Sequence, residues 1–248
     1  MAIEKPWVRW LSLLGFLAAW QLLAVGLASP DLPSPWQVLA SLKTHLLSGE
    51  LLHHLAITLL RVVAAFVIAM GIGTALGIVM GASPRIDTLL DGLLVLGLNL
   101  PALVTIILCY IWFGLTDVAA VTAVALNKIP TVVVTLREGA RAVDRRLLEV
   151  ATAFHVPPVR TLFRVYLPQL YPYLMAAARS GLALIWKIVL VVELLGRSNG
   201  VGFQLGTYFQ FFDITSILAY TLAFAAVVLT VEALLMRPLD RRMSRWRT

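Results

Sequence analysis

The segment 149–174 reads EVATAFHVPPVRTLFRVYLPQLYPYL. It breaks an otherwise oily chain with charges, two adjacent prolines and a third proline further on. Leu147, Val150, Ala151 and Phe154 recur at helical spacing, which predicts a helix ending near Phe154. Pro157 and Pro158 bar that helix from continuing and bias Val156 away from helical geometry. Pro158 suits the first turn of a new helix. In that second helix Val159, Leu162, Phe163 and Tyr166 form an apolar face, with Arg160 and Arg164 more polar. Pro168 is expected to end it, and Pro172 to fall where the next element begins. The product is a helix–turn–helix unit showing an apolar face with basic flanks. Such a face either lies on lipid headgroups or fills a groove on a partner protein. Periodicity alone does not choose.

The rest of the chain explains where this unit sits. Of 248 residues 60% are hydrophobic and 13% charged. Apolar runs of about 18 residues recur, each long enough at about 1.5 Å per residue to cross a hydrocarbon core roughly 30 Å thick. This predicts an all-α, polytopic membrane protein with about six transmembrane helices. The expected spans are 10–28, 56–80, 88–112, 118–136, 171–195 and 214–236. The opening run is too long for a signal peptide and lacks a convincing cleavage site, so it reads as a retained first span. The net charge of +7 is not a nucleic-acid signature, because the basic residues cluster at the ends of apolar runs.

Their distribution predicts orientation. Lys5, Arg9, Arg85, Arg137, Arg141, Arg145, Arg146, Arg160, Arg164, Arg237, Arg241, Arg242, Arg245 and Arg247 fall on one side, and Lys43 and Arg197 on the other. Both termini and the 137–170 connection are therefore expected in the cytoplasm. Trp7, Trp10, Trp112 and Trp246 sit near predicted interfaces. Residues 1–55 read as a first span plus an outer amphipathic segment, and 56–248 as a five-helix core carrying the insert at 137–170. In the outer segment Trp36, Leu39, Leu42 and Leu46 recur at helical spacing, which predicts a short helix on the membrane surface. Span two carries Ala65, Ala69, Gly73, Gly77 and Gly81 at four-residue intervals. That stripe of small residues admits a close helix neighbour, either within the chain or at a sliding or subunit contact.

Chemistry-bearing motifs are absent. The sequence has no Gly-Lys pair and hence no Walker A loop, and no H-E-x-x-H, C-x-x-C or G-x-S-x-G. No catalytic residues, no metal site and no cofactor are expected in this subunit. His45, His53 and His54 are poorly spaced for a metal, and only Glu50 could complete a shell. Arg61, Lys128, Lys187 and Glu193 lie inside or near the ends of spans, where charges usually face a bundle interior or a water-filled path. Lys128, Lys187 and Glu193 are candidate substrate-pathway residues. The plainer alternatives are a structural ion pair or a snorkelling side chain for Lys187, and an interfacial or gating role for Glu193. Pro130 disturbs span four's backbone bonds beside Lys128.

The 149–168 stretch resembles the cytoplasmic motif of the permease subunits of bacterial ABC importers. That pattern reads E-A-A, three residues, G, nine residues, I, one residue, L-P; here it is Glu149-Val150-Ala151, His155 and Val165-Tyr166-Leu167-Pro168. His155 in place of Gly is the real departure, since Gly permits a left-handed turn at no steric cost. LPSPWQVLASL, SGELLHHLAITLLRV and VVELLGRSNGVGFQL are similar to the nitrate/sulfonate/taurine/bicarbonate branch. The resemblance implies a type I ABC importer permease (MetI-like) fold in a bacterial inner membrane. It implies two permease copies forming a pathway for a small anionic solute, a cytoplasmic ATPase dimer that binds ATP and Mg, and a periplasmic or lipid-anchored binding protein. Glu149, Ala151, His155, Val159, Leu162, Phe163, Leu167 and Pro168 would then couple to the ATPase. The alternative class is a secondary carrier driven by an ion gradient, which would need no ATPase and often shows related halves. No convincing repeat joins 1–124 to 125–248.

Overall fold

The computed structural model describes residues 6–27, 29, 31–236 and 238, and among them every regular element is a helix. Ala28, Lys5, Arg237, Arg241, Arg242, Arg245, Arg247 and Trp246 lie outside the described residues, as do the side chains of Arg9 and Trp10. The order is α1 (Pro6–Leu27), α2 (Pro35–Leu47), α3 (Glu50–Ala82), α4 (Pro84–Asn99), α5 (Ala102–Phe113), α6 (Asp117–Arg141), α7 (Arg145–Ala153), α8 (Pro158–Thr161), a π-helical turn (Leu162–Tyr166), α9 (Leu167–Gly196), α10 (Val201–Gln210) and α11 (Ile214–Val231), with a last π-helical turn at Glu232–Met236. Among the described residues four helices are long and apolar enough to span a membrane: Glu50–Ala82, Asp117–Arg141, Pro158–Gly196 and Ile214–Leu234. The pair α4 and α5 adds a fifth if counted as one span, and α1 carries a shorter apolar stretch, Leu11–Leu27.

The scaffold is a three-helix core of α3, α6 and α9. α3 and α6 run parallel in tight register, and the small-residue stripe is the reason. A Cβ on Gly73 would lie 2.6 Å from the Val132 Cβ, one on Gly77 2.7 Å from the Leu136 Cβ, and one on Gly81 2.6 Å from the Arg137 carbonyl oxygen. Ala65 and Ala69 are both fully buried on the same stripe. The stripe thus serves contact within the chain. α9 runs antiparallel to both, burying Ala177 against Val132 and Leu136, and Ile185, Trp186 and Val189 against Val62, Ala120 and Val124.

Two expectations need correction. The third span is not one straight helix: α4 and α5 are bent by 98°. Pro101 holds Leu100 in extended geometry, at φ −69° and ψ 124°, so α4 stops and α5 starts afresh. Nor does Pro168 end the insert's second helix. α8, the π-helical turn and α9 continue as one 39-residue helix, Pro158–Gly196. The π-helical turn takes up the slack, with the Leu167 N–H bonded to the Leu162 carbonyl, and Pro168 falls in the first turn of α9, where a missing N–H is harmless.

The expected outer helix is α2, started by a capping box in which Ser34 and Gln37 bond each other's backbone. Its apolar positions divide. Leu42 packs inward near Leu51 and Tyr220, whereas Trp36, Leu39 and Leu46 are exposed. Val38 is buried, and Ser41 and His45 meet Ser216 of α11.

Candidate functional site

At one end of the core α6 gives way to the insert. Asp144 caps α7 by accepting from the Arg146 N–H at 2.9 Å, while its own N–H donates to Gln169 Oε1 at 2.8 Å. Gln169 stands in the first turn of α9, so one side chain ties the insert's two ends together. α7 ends in a Schellman motif. The His155 N–H donates to the Thr152 carbonyl and the Val156 N–H to the Ala151 carbonyl, both at 2.9 Å. This requires a left-handed residue at 155, and His155 has φ 52°. The turn that the motif builds with Gly is therefore made here with His.

The insert keeps its inward contacts few. Ala151 is buried; Leu148, Tyr166 and Leu167 pack beside Ala140, Val143 and Leu170. Tyr166 thus faces the core rather than joining the second apolar face. On the other side Leu147, Val150, Phe154, Val159, Leu162 and Phe163 are exposed, Phe154 at 79% and Val159 at 68%. Glu149 and Pro168 are exposed as well, and His155 sits at the bend between the two faces. Glu149 and Arg145 line a hollow of about 730 Å³ between α7 and the ends of α3 and α6. An ionic cluster braces the base of the insert: Arg137 meets Asp91 at 2.8 Å and Asp87 at 3.3 Å, and Arg141 meets Glu138 at 3.0 Å and also Asp87.

At the opposite end of the core lies a buried ionic knot. Glu193 is fully enclosed, and Arg61 is 4% exposed. Arg61 Nη1 donates to Glu193 Oε1 at 2.7 Å and to the Asn199 carbonyl at 2.9 Å. Its Nε donates to Asp117 Oδ1 at 2.8 Å, and Nη2 reaches Asn199 Oδ1. The remaining acceptor capacity of Glu193 is met by the Gly202 N–H at 2.8 Å and the Thr58 hydroxyl at 2.9 Å. Thr58 in turn accepts from the Val201 N–H at 2.9 Å, and the His54 ring accepts from the Gly200 N–H at 2.9 Å. Gly200 has φ 106° and packs so closely on the Glu193 carboxylate that a Cβ would overlap it. α3, α6, α9 and the 197–200 loop are thereby fastened at one point. Sequence reading found Arg61 and Glu193 as isolated charges and missed their pairing, because they are 132 positions apart. Of the three histidines, His54 joins this knot with its ring against that of His53, and His45 turns to Ser216.

Lys128 and Lys187 are placed differently. Lys128 is 3% exposed and lies across α9 at Gly181, where a Cβ would stand 2.9 Å from Lys128 Cε. α6 passes through Pro130 without a break. Lys187 is exposed on α9. Gly196, where α9 ends, is nine residues on, roughly 14 Å at 1.5 Å per residue, which is further than a four-carbon side chain reaches. A charge facing hydrocarbon at that depth costs at least about 2.5 kcal/mol.

A bundle of apolar helices with a buried ionic knot at one end and an exposed, apolar elbow at the other defines a multi-pass membrane component. Comparison with known proteins agrees. Residues 69–245 match the model of the family described as binding-protein-dependent transport system inner membrane component, and the chain belongs to that family. It is 31% identical over 233 residues to a putative aliphatic sulfonates transport permease protein of Bacillus subtilis (strain 168), covering 93% of this chain and 84% of the relative. It is 29% identical over 233 residues to the taurine transport system permease protein of Escherichia coli (strain K12), covering 92% and 84%. The bicarbonate transport system permease protein of Synechococcus elongatus is 24% identical over 232 residues, covering 89% and 83%. Among solved structures, an amino acid ABC transporter crystallised with histidines superposes with a TM-score of 0.59 at 20% identity, covering 83% of this chain and 96% of that one. The type I ABC importer permease fold expected from the resemblance is thus found.

Proposed function

We propose that this chain is the pathway-forming subunit of an ATP-driven importer for a small solute carrying an anionic group, of the sulfonate, taurine or nitrate type. Two copies line the pathway, and a binding protein delivers solute to the end bearing the Arg61–Glu193 knot. Each insert docks in a groove of a separate ATPase subunit, which binds ATP and Mg. The insert lies on the cytoplasmic side of a bacterial inner membrane, and both termini share that side. The observation that carries this reading is the exposed apolar face of Val150, Phe154, Val159, Leu162 and Phe163, beside Glu149 and the His155 turn. Anchors at helical spacing on a pre-shaped elbow fit a groove. Ala151, Leu167 and Pro168 set the elbow's attachment rather than its contact face. The names of the sulfonate and taurine relatives support the solute class.

The test is reconstitution of the chain with its ATPase and binding protein in liposomes. Leu162→Ser with Phe163→Ser is expected to leave membrane insertion intact, to release the ATPase during purification and to abolish uptake. Uptake that persists in this double variant, or that continues without ATP, overturns the reading; the second result would point to a gradient-driven carrier.

A further inference from the structure

We propose that Lys187 is the charge-selecting element of the pathway and favours solutes bearing an anionic headgroup over those without one. The inference rests on the pathway-forming role above. Arg61, Asp117, Glu193, Arg137, Asp87, Asp91, Glu138, Arg141, Arg179 and Glu232 all make ion pairs within the chain. Lys128 and Lys187 make no side-chain hydrogen bond or ion pair among the described residues, and both stand against the same stretch of α9. Two lysines without a carboxylate partner among the described residues therefore lie along α9, Lys128 buried against it and Lys187 exposed on it.

The helix face around Lys187 says what they meet. Ser180, Ala183, Leu184, Lys187, Val191 and Leu194 recur along one side of α9 and are all exposed. Lys187 is the only charge on that stripe. An ammonium group too deep to snorkel does not face lipid, so this face borders water. Lys128 lies against the buried face of α9 at Gly181, six residues before Lys187, where the glycine's missing side chain makes room for the lysine stem. A lone ammonium on an apolar wall attracts anions more strongly than one on an open polar surface, because the local dielectric is low.

The experiment needs no knowledge of the native solute. Cys109 is the chain's one cysteine and is buried, so Cys109→Ala supplies a clean background. Val191→Cys places a thiol one turn from Lys187. In the reconstituted complex it is treated with two water-soluble methanethiosulfonates, one ending in a sulfonate and one in a trimethylammonium, with rates normalised to a free thiol. Both reagents are expected to react, the anionic one faster. Adding Lys187→Gln is expected to lower the anionic-to-cationic rate ratio by several-fold to about tenfold, and Lys187→Arg to preserve it. Uptake of ethanesulfonate is expected to fall with Lys187→Gln. Absence of reaction with either reagent shows a dry face and overturns the proposal, as does a ratio that Lys187→Gln leaves unchanged. Failure of the coupling reading looks different: the Leu162→Ser, Phe163→Ser variant would then keep its uptake, whatever the labelling ratio.

Discussion

His155 carries the cost of a turn that glycine makes freely. A non-glycine residue in the left-handed region loses roughly 1–2 kcal/mol to the clash of its Cβ with the backbone. The turn persists because both of its backbone bonds are made and because Pro157 and Pro158 leave the chain no helical alternative. His155→Gly is expected to stabilise the insert and to raise the melting temperature of the purified chain in detergent by a few degrees, about 2–4 °C per kcal/mol for a domain of this size. A fall in melting temperature would show that the imidazole makes a contact worth more than the strain. The position was legible in sequence from its spacing to Glu149 and Pro168, and so was the strain. The fate of Tyr166 was not. Its spacing to Val159 and Leu162 puts it on the outward face of an ideal α-helix, but the π-helical turn changes the register and turns it toward Leu170.

Elements follow the same division between local and distant causes. The small-residue stripe of α3 was legible as a close contact because four-residue spacing repeats one helix face. Its partner was not, since nothing in residues 65–81 names α6. With the register known, Gly77→Val is expected to force Leu136 and the Val133 carbonyl aside and to cost several kcal/mol, as overpacking at backbone contact does. Gly71→Val is the matched control: a Cβ there meets nothing within 4 Å. Folded yield by gel filtration in detergent should collapse for the first and hold for the second; equal yields would sink the account of α3 and α6 as a backbone-close pair. The break between α4 and α5 was hidden by hydropathy, which reads 88–112 as one run of adequate length. Pro101 held the signal. A proline near the middle of an apolar run kinks or breaks it, and here Leu100 in extended geometry makes the bend nearly a right angle.

At the scale of the molecule, charge among the described residues of the core gathers at its ends, with Lys128, Lys187 and the Arg179–Glu232 pair between them. Arg137, Arg141, Asp87 and Asp91 brace the insert end; Arg61, Glu193, Asp117 and Asn199 close the other. Removing one member of a buried pair strands the other, at a cost of about 3–5 kcal/mol. Glu193→Gln and Arg61→Gln are each expected to destabilise the chain by roughly that much, and the double variant by less than the sum. Additive losses in thermal unfolding would mean that the two side chains act independently. The knot has a mechanical sense as well. The 39-residue helix from Pro158 to Gly196 is a rod roughly 58 Å long, with the elbow at one end and the knot at the other. Packed along α3 and α6 and pinned at the knot, such a rod tilts as a lever when its far end is displaced. Lys187 stands about a quarter of the way from the fulcrum, at 1.5 Å of rise per residue, so a 4 Å stroke at the elbow arrives there as about 1 Å. On the proposed function, large travel at the gripped elbow becomes fine adjustment beside Lys187.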